Sequence, residues 1–261
     1  MTLDAELIAQ LAQQLYQQHR ERAAFAPLNQ PAGIPGETDA YAIQHAFLAC
    51  HEGRSMAGYK VGLTSKRMQQ MCHYDSPIAG HVLADTCQSS PLTLSLSDYT
   101  HLGIEFEIAV RLGRDLPHAR SPYEMNDIAE AIDGVAPAIE IIDDRGADYD
   151  ALDILSLVAD NSWNQGLVLG EFSDQWPELD ALRGEVSLNQ AVVDSGCGAD
   201  VLGHPFASVL WLANHRHATH DGLHAGDLIA TGSLVTTRFP SPGERYRYEL
   251  GALGALEIAF E

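Results

Sequence analysis

The chain has 261 residues, 46% of them apolar, and carries a formal net charge of −21 with a pI near 4.7. That length and apolar content support a substantial core and argue against global disorder. The acidity disfavours nucleic acid and anionic membrane surfaces as partners, and it repels anionic substrates unless a local cation reverses the sign.

The start, Met1-Thr2-Leu3-Asp4-Ala5-Glu6, lacks signal-peptide architecture, and no apolar run approaches membrane-spanning length. Cys50, Cys72, Cys87 and Cys197 form no Cys-x-x-Cys pair and read as reduced thiols, so a cytoplasmic protein is expected. Leu7, Ile8, Leu11, Leu15 and Tyr16 recur at helical spacing and predict an amphipathic helix over residues 3–23. A Pro/Gly segment runs from Pro27 to Gly36. Thr38 or Asp39 is then placed to cap a second helix through Tyr41, Ile43, Phe47 and Leu48, ending at Gly53. Residues 1–55 are therefore expected to form a helical N-terminal cap on a main domain of residues 56–261.

From Gly58 onward short strands and glycines dominate. Strands are predicted at 57–62, 104–111, 135–142, 166–170, 184–188, 191–194, 227–231, 245–249 and 254–260, and helices at 64–71, 121–132, 151–157 and 204–216. Runs of strands with interspersed helices predict an α+β fold with a mixed or antiparallel sheet. The last two strands read as a closing hairpin.

The first chemical signal is Ile104-Glu105-Phe106-Glu107-Ile108-Ala109-Val110. Strand alternation puts Glu105 and Glu107 on one face and the apolar residues on the other. Adjacent carboxylates repel, and they call for a cation, a shared proton or water. Glu140 lies in the almost wholly apolar run Ala136-Pro137-Ala138-Ile139-Glu140-Ile141-Ile142 and needs a partner. A three-carboxylate site for Mg²⁺ or Mn²⁺ accounts for all three; an ion pair between Glu140 and Arg145 or another arginine is the alternative. Lys60, between Gly58 and Gly62 in an apolar strand, is either snorkelling or functional. Desolvation would lower its pKa and suit it to acid–base work or to binding an enolate.

Asp160-Asn161-Ser162, Thr231-Gly232-Ser233 and Leu202-Gly203-His204-Pro205 are small polar clusters whose default reading is turn and cap chemistry. His215, His217, His220 and His224 lack ligand spacing for zinc and read as a solvated loop. Gly196-Cys197-Gly198 reads as a turn between two strands. There is no Walker loop, dinucleotide glycine motif or nucleophile elbow.

Taken in order, Gly58-Tyr59-Lys60-Val61-Gly62-Leu63-Thr64-Ser65, Ile104-Glu105-Phe106-Glu107-Ile108-Ala109, Pro137-Ala138-Ile139-Glu140, Ala159-Asp160-Asn161, Leu202-Gly203-His204-Pro205, Ala225-Gly226-Asp227 and Thr231-Gly232-Ser233 resemble the 2-keto-4-pentenoate hydratase / 4-oxalocrotonate decarboxylase family of the fumarylacetoacetate hydrolase superfamily. The resemblance spans nearly the whole chain. It implies a mixed β-roll, with the catalytic unit at 56–261. It also implies Mg²⁺ or Mn²⁺ on Glu105, Glu107 and Glu140, Lys60 as a catalytic group, and substrate contacts at Leu63, Asp160, Thr231, Gly232 and Ser233. The implied substrate is a small 2-oxo acid in meta-cleavage degradation of aromatic compounds. A homo-oligomer is implied too, with association to another pathway enzyme as a further option.

Two positions depart from the family pattern. Hydratases of this type carry Pro-Asp-aromatic-Gly after the lysine strand, where this chain has Ser76-Pro77-Ile78-Ala79-Gly80, a form closer to the decarboxylases. Asp75 and Asp85 are the nearby carboxylates that could substitute. Gly103 stands where many relatives have a basic residue, which weighs against a second substrate carboxylate. The resulting expectation is a hydratase acting on 2-hydroxypenta-2,4-dienoate or a homologue. A 2-oxo-3-enedioate decarboxylase, an acylpyruvate-type hydrolase and a non-catalytic partner subunit are the alternatives.

Overall fold

The computed structural model describes residues 2–219 and 221–261; Met1 and His220, one of the four clustered histidines, lie outside the described residues. In chain order the elements are α1 (Ala5–Glu21), α2 (Glu37–Ala49), β1 (Met56–Gly62), α3 (Lys66–Met71), β2 (Ile78–Leu83), β3 (Cys87–Ser89), β4 (Leu92–Leu94), β5 (Leu102–Leu112), β6 (Leu116–Pro117), α4 (Met125–Ala131), β7 (Ile132–Asp143), α5 (Ile154–Ala159), β8 (Asn164–Leu169), β9 (Arg183–Leu188), β10 (Ala191–Cys197), α6 (Pro205–Asn214), β11 (Gly222–Leu223), β12 (Leu228–Ser233), β13 (Arg245–Glu249) and β14 (Ala255–Phe260).

Two sheets organise the molecule. The larger has the order β2-β1-β12-β5-β7-β8-β3, and the smaller β10-β9-β13-β14-β4; β6 and β11 form a short pair. The larger sheet is mixed, with β1 parallel to β12 and antiparallel to β2, while β5 runs antiparallel to both β12 and β7. The fold is the α+β class expected. β13 and β14 pair antiparallel, as the closing hairpin requires.

On β5, Ile104, Phe106, Ile108 and Val110 are all fully buried, and Phe106 packs against Tyr246 and Tyr248 of the smaller sheet at ring distances of 6.1 and 5.4 Å. Burying each such side chain stabilises the fold by roughly 1.5–3 kcal/mol. The apolar half of the alternation therefore fixes the sheet-to-sheet packing, and the other half points Glu105 and Glu107 away from it.

The helical start packs directly on this frame. Asp4 caps α1 by accepting from Leu7 N, and Leu11, Ala12 and Leu15 form its buried stripe. α2 is capped by Gly36, without a side-chain cap, rather than by Thr38 or Asp39; Asp39 instead accepts from Leu3 N at 2.9 Å. Gln44 of α2 donates to Ala79 O of β2 and to Val158 O of α5.

Several boundaries differ from expectation for local reasons. β2 was not predicted: all six of its residues are buried, so it carries no alternation for a period-two reading to detect. β10 extends through Gly196 and Cys197, so that triplet is not a turn. A Cβ at Gly196 would lie 2.0 Å from Leu234 O, and this close backbone approach is what requires the glycine. α4 starts only at Met125, and Asp153 caps α5 by accepting from Ser156 N. His204 caps α6 through Nδ1, accepting from Phe206 N at 3.0 Å, which is the structural role its position suggests.

Candidate metal centre

Register brings the acidic residues together. Glu105 of β5 lies opposite Glu140 of β7, and Glu107 lies opposite Ser233 of β12. Each of Glu105, Glu107 and Glu140 offers one carboxylate oxygen, and these all lie within 4.8 Å of one another; among the described residues this is the one such acidic or His/Cys group. Glu107 and Glu140 are fully buried and Glu105 is half-buried.

Donors from four parts of the chain hold this cage. Lys60 Nζ is 3.3 Å from Glu140 Oε1, and Asn164 Nδ2 donates to the same oxygen at 2.8 Å. Gly232 N donates to Glu107 Oε2 at 2.8 Å, and Thr237 Oγ1 donates to Glu105 Oε1 at 2.6 Å. Gly232 adopts φ 113°, and a Cβ there would lie 2.2 Å from Thr64 Oγ1, so only glycine presents this N–H. The second oxygens of the two buried carboxylates, Glu107 Oε1 and Glu140 Oε2, have no hydrogen-bond partner.

The electrostatics follow from burial. Desolvation pushes the Glu140 carboxyl up to about 7 against the opposing pull of Lys60, and it pushes Glu107 well above the usual carboxylate range, with Glu140 adding to the rise. Burial by itself would lower Lys60, but the charges of Glu140, Glu105 and Glu107 outweigh it and raise the amine above its ordinary value. The downward shift expected for Lys60 is thus reversed, and it stands in the site as an ammonium. Two unpartnered buried carboxylate oxygens beside a half-buried third form the hard oxygen set that a divalent cation fits.

The alternative partner for Glu140 is excluded. Arg145 Nη2 bonds Asp160 Oδ2 at 2.7 Å, and Arg145 Nη1 contacts His19 Nε2 at 2.7 Å. Asp160, fully buried, is therefore held between Arg145 and His19 and is not brought into the glutamate group. Asn161 bonds both the N and O of His81, and Ser162 bonds Ala79 O, so this segment anchors β2. Thr231 Oγ1 donates to Ile108 O, and Ser233 Oγ accepts from Phe106 N; both hydroxyls are engaged by β5, and of the triplet Gly232 alone bonds a cage carboxylate. Leu63 turns the chain out of β1 at φ 54°.

The two departures from the family pattern also gain a setting. Ile78 pairs with Gly62, and a Cβ at Gly62 would lie 3.4 Å from Ile78 Cγ1 and 3.5 Å from Lys60 Nζ. A buried apolar side chain thus stands beside Lys60 where the hydratase pattern has a carboxylate. Asp85 does not substitute: it is exposed, bonded to Arg54, and beyond the opposite end of β2. Asn164 and Thr237 are site residues that sequence reasoning missed. Asn164 follows the Asp160-Asn161-Ser162 cluster closely enough to have been considered, whereas Thr237 carries no local signal.

The fumarylacetoacetate (FAA) hydrolase C-terminal family matches residues 70–260. The chain belongs to the fumarylacetoacetate hydrolase family. Within the family it is 32% identical over 254 residues to a 2-keto-4-pentenoate hydratase of Paraburkholderia xenovorans, covering 96% of this chain and 93% of that one. It is 31% identical to a 2-oxo-hept-4-ene-1,7-dioate hydratase of Escherichia coli, with 96% of both chains covered. A solved family member, 4-oxalocrotonate decarboxylase from Pseudomonas putida G7 complexed with magnesium and adipate, superposes with a TM-score of 0.92 at 28% identity, covering 100% of this chain and 99% of that one. No helix of the described residues is long and apolar enough to cross a membrane.

Proposed function

We propose that this family member is a divalent-metal-dependent lyase on a small 2-oxo-enoate, most specifically a hydratase that adds water to 2-hydroxypenta-2,4-dienoate or a homologue. The observation that carries the reading is the cage of Glu105, Glu107 and Glu140 with two unpartnered buried oxygens and the Lys60 ammonium at its edge. The hydratase relatives support the reaction class. The hard oxygen donors favour Mg²⁺ or Mn²⁺, and the four free cysteines favour a cytoplasmic setting.

The proposed division of labour follows from the chain's own groups. Glu105, Glu107 and Glu140 hold the cation, which when bound supplies Lewis-acid polarisation of the substrate's 2-oxo group. Lys60 places fixed positive charge where an enolate oxygen develops, in a desolvated setting that strengthens the interaction. Gly232 N–H, Asn164 and Thr237 hold the carboxylates in place. Leu63, Asp160, Thr231 and Ser233 complete the proposed pocket, Asp160 and the two hydroxyls through the backbone and side chains they position. Residues 1–55 act as a cap over the catalytic unit of residues 56–261.

Decarboxylation is the second reading, and Ile78 favours it, because the apolar side chain beside Lys60 leaves no carboxylate there for proton transfer. Incubation with Mg²⁺ and either 2-hydroxypenta-2,4-dienoate, 2-oxohept-4-enedioate or 2-oxohex-3-enedioate separates the two. Loss of ultraviolet absorbance without CO₂ from either of the first two is the expected result. CO₂ from the third makes the protein a decarboxylase, and no turnover of any overturns the lyase assignment.

A further inference from the structure

The face of β5 and β7 that holds the glutamates continues past them. Glu105 lies opposite Glu140, and one two-residue step outward Gly103 lies opposite Ile142. The next step reaches His101 and Asp144, just beyond the strand ends, where His101 Nδ1 and Asp144 Oδ1 are 2.7 Å apart. Residues at this spacing share a face, and four residues of strand span about 13 Å.

The side chains confirm that the face is continuous. A Cβ at Gly103 would lie 3.0 Å from Ile142 Cγ1 and 3.1 Å from Phe239 Cε1, so Phe239 covers the glycine. The same ring stacks on His101 at 4.5 Å and 12°. Tyr149 donates to Asp144 Oδ2 at 2.9 Å, and its phenol is raised by burial and by Asp144. Outward from the carboxylates, then, the face runs from an apolar strip of Gly103, Ile142 and Phe239 to a polar ledge of His101, Asp144 and Tyr149.

Asp144 is fully buried and fully used: Oδ1 takes His101 Nδ1 and Gly146 N, and Oδ2 takes Tyr149 Oη. It fixes the orientation of the His101 ring, whose side chain is 50% exposed and whose Nε2 bonds nothing among the described residues. Protonated, that ring offers a charge-assisted N–H to an anion, with Asp144 behind it balancing the charge. In a molecule of net charge −21, an imidazole held against a buried carboxylate beyond an apolar strip from the proposed metal cage suits a ligand with two anionic ends.

We infer that His101, positioned by Asp144, recognises a carboxylate at the far end of the substrate, so that the preferred 2-oxo-enoate is a diacid. The inference rests on the 2-oxo acid reading above and sharpens it. His101 lies one strand step beyond Gly103, which favours a longer diacid than a side chain at 103 would. The hydrocarbon chain lies along the exposed ring of Phe239, which covers Gly103.

Calorimetric binding of two unreactive analogues of equal length, 2-oxohexanedioate and 2-oxohexanoate, in the presence of Mg²⁺ tests this. The protein should prefer the diacid by about tenfold or more, as a hydrogen bond between charged groups implies. His101→Gln and His101→Phe, the latter keeping the ring stack, should lose that preference and leave monoacid affinity unchanged, whereas His101→Arg should keep it. Equal binding of both analogues, indifferent to His101, overturns the inference and leaves the 2-oxo acid reading intact. Equal loss of both analogues in His101→Gln and His101→Phe makes the ring a structural or general pocket element and also overturns it. Failure of the unaltered protein to bind either analogue overturns the 2-oxo acid reading and this inference with it.

Discussion

Asn164 and Thr237 each contribute one hydrogen bond to the cage, at 2.8 Å to Glu140 and 2.6 Å to Glu105. Such partners orient a metal-facing carboxylate, and their loss commonly weakens metal affinity 10- to 100-fold. Asn164→Ala and Thr237→Val should each raise the Mg²⁺ dissociation constant by about that factor in titration calorimetry, with the fold retained by circular dichroism. Unaltered affinity in both would remove them from the site. The glutamates and Lys60 were legible in the sequence because each is a charge in an apolar strand, where burial without a partner is costly. Asn164 and Thr237 were not, since neutral polar residues carry no charge whose burial demands a partner until the register of β8 and the path after β12 are known. Lys60 shows the limit of the same reasoning: its desolvation was readable, but not that the three carboxylates lie close enough to outweigh it.

Strands with one wet and one dry face, or with a charge interrupting an apolar run, were visible at the scale of elements, and β5, β7, β13 and β14 fall near their expected positions. β2 was invisible because burial on both faces erases period-two alternation, and it matters because it carries Ile78 to Lys60. Helix α1 was readable from its 3.6-residue spacing, but not how deeply the two N-terminal helices are built in. Gln44 satisfies carbonyls of β2 and α5, Leu28 N donates to Ser156 Oγ, and Arg145 bonds Ala23 O while holding Asp160. Leu11, Leu15, Ile43 and Phe47 bury their apolar surface against the rest of the chain. Removing residues 1–55 should therefore leave residues 56–261 without a cooperative thermal transition. A sharp transition in that fragment, with native near-ultraviolet dichroism, would show that the cap is dispensable for folding.

Across the whole molecule the cage couples stability to pH and, through the proposed cation, to metal. Glu140 is raised from its ordinary value to about 7, so without a cation the native state holds a proton that the unfolded chain releases earlier. Its contribution to stability is full below the unfolded carboxylate range and is lost as pH rises through about 7. A divalent cation needs the ionised carboxylates, so it competes with that proton. The rise in Tm caused by saturating Mg²⁺ should therefore be small at pH 5.5 and grow through about pH 7. At a concentration one hundred times the dissociation constant it should reach about 2.7 kcal/mol of added stability. A Tm increment that stays constant from pH 5.5 to 8 would separate the cation from Glu140. The parallel pairing of β1 with β12, Gly58 beside Leu228, has a consequence for biosynthesis. Lys60 emerges from the ribosome before Glu105 and Glu140, and Gly232 and Thr237 emerge after them, so a nascent chain holds the complete proposed cation site only once β12 and the segment after it are made. Pairings so distant in sequence close late, and capture of the proposed cation would signal that β1 and β12 have met.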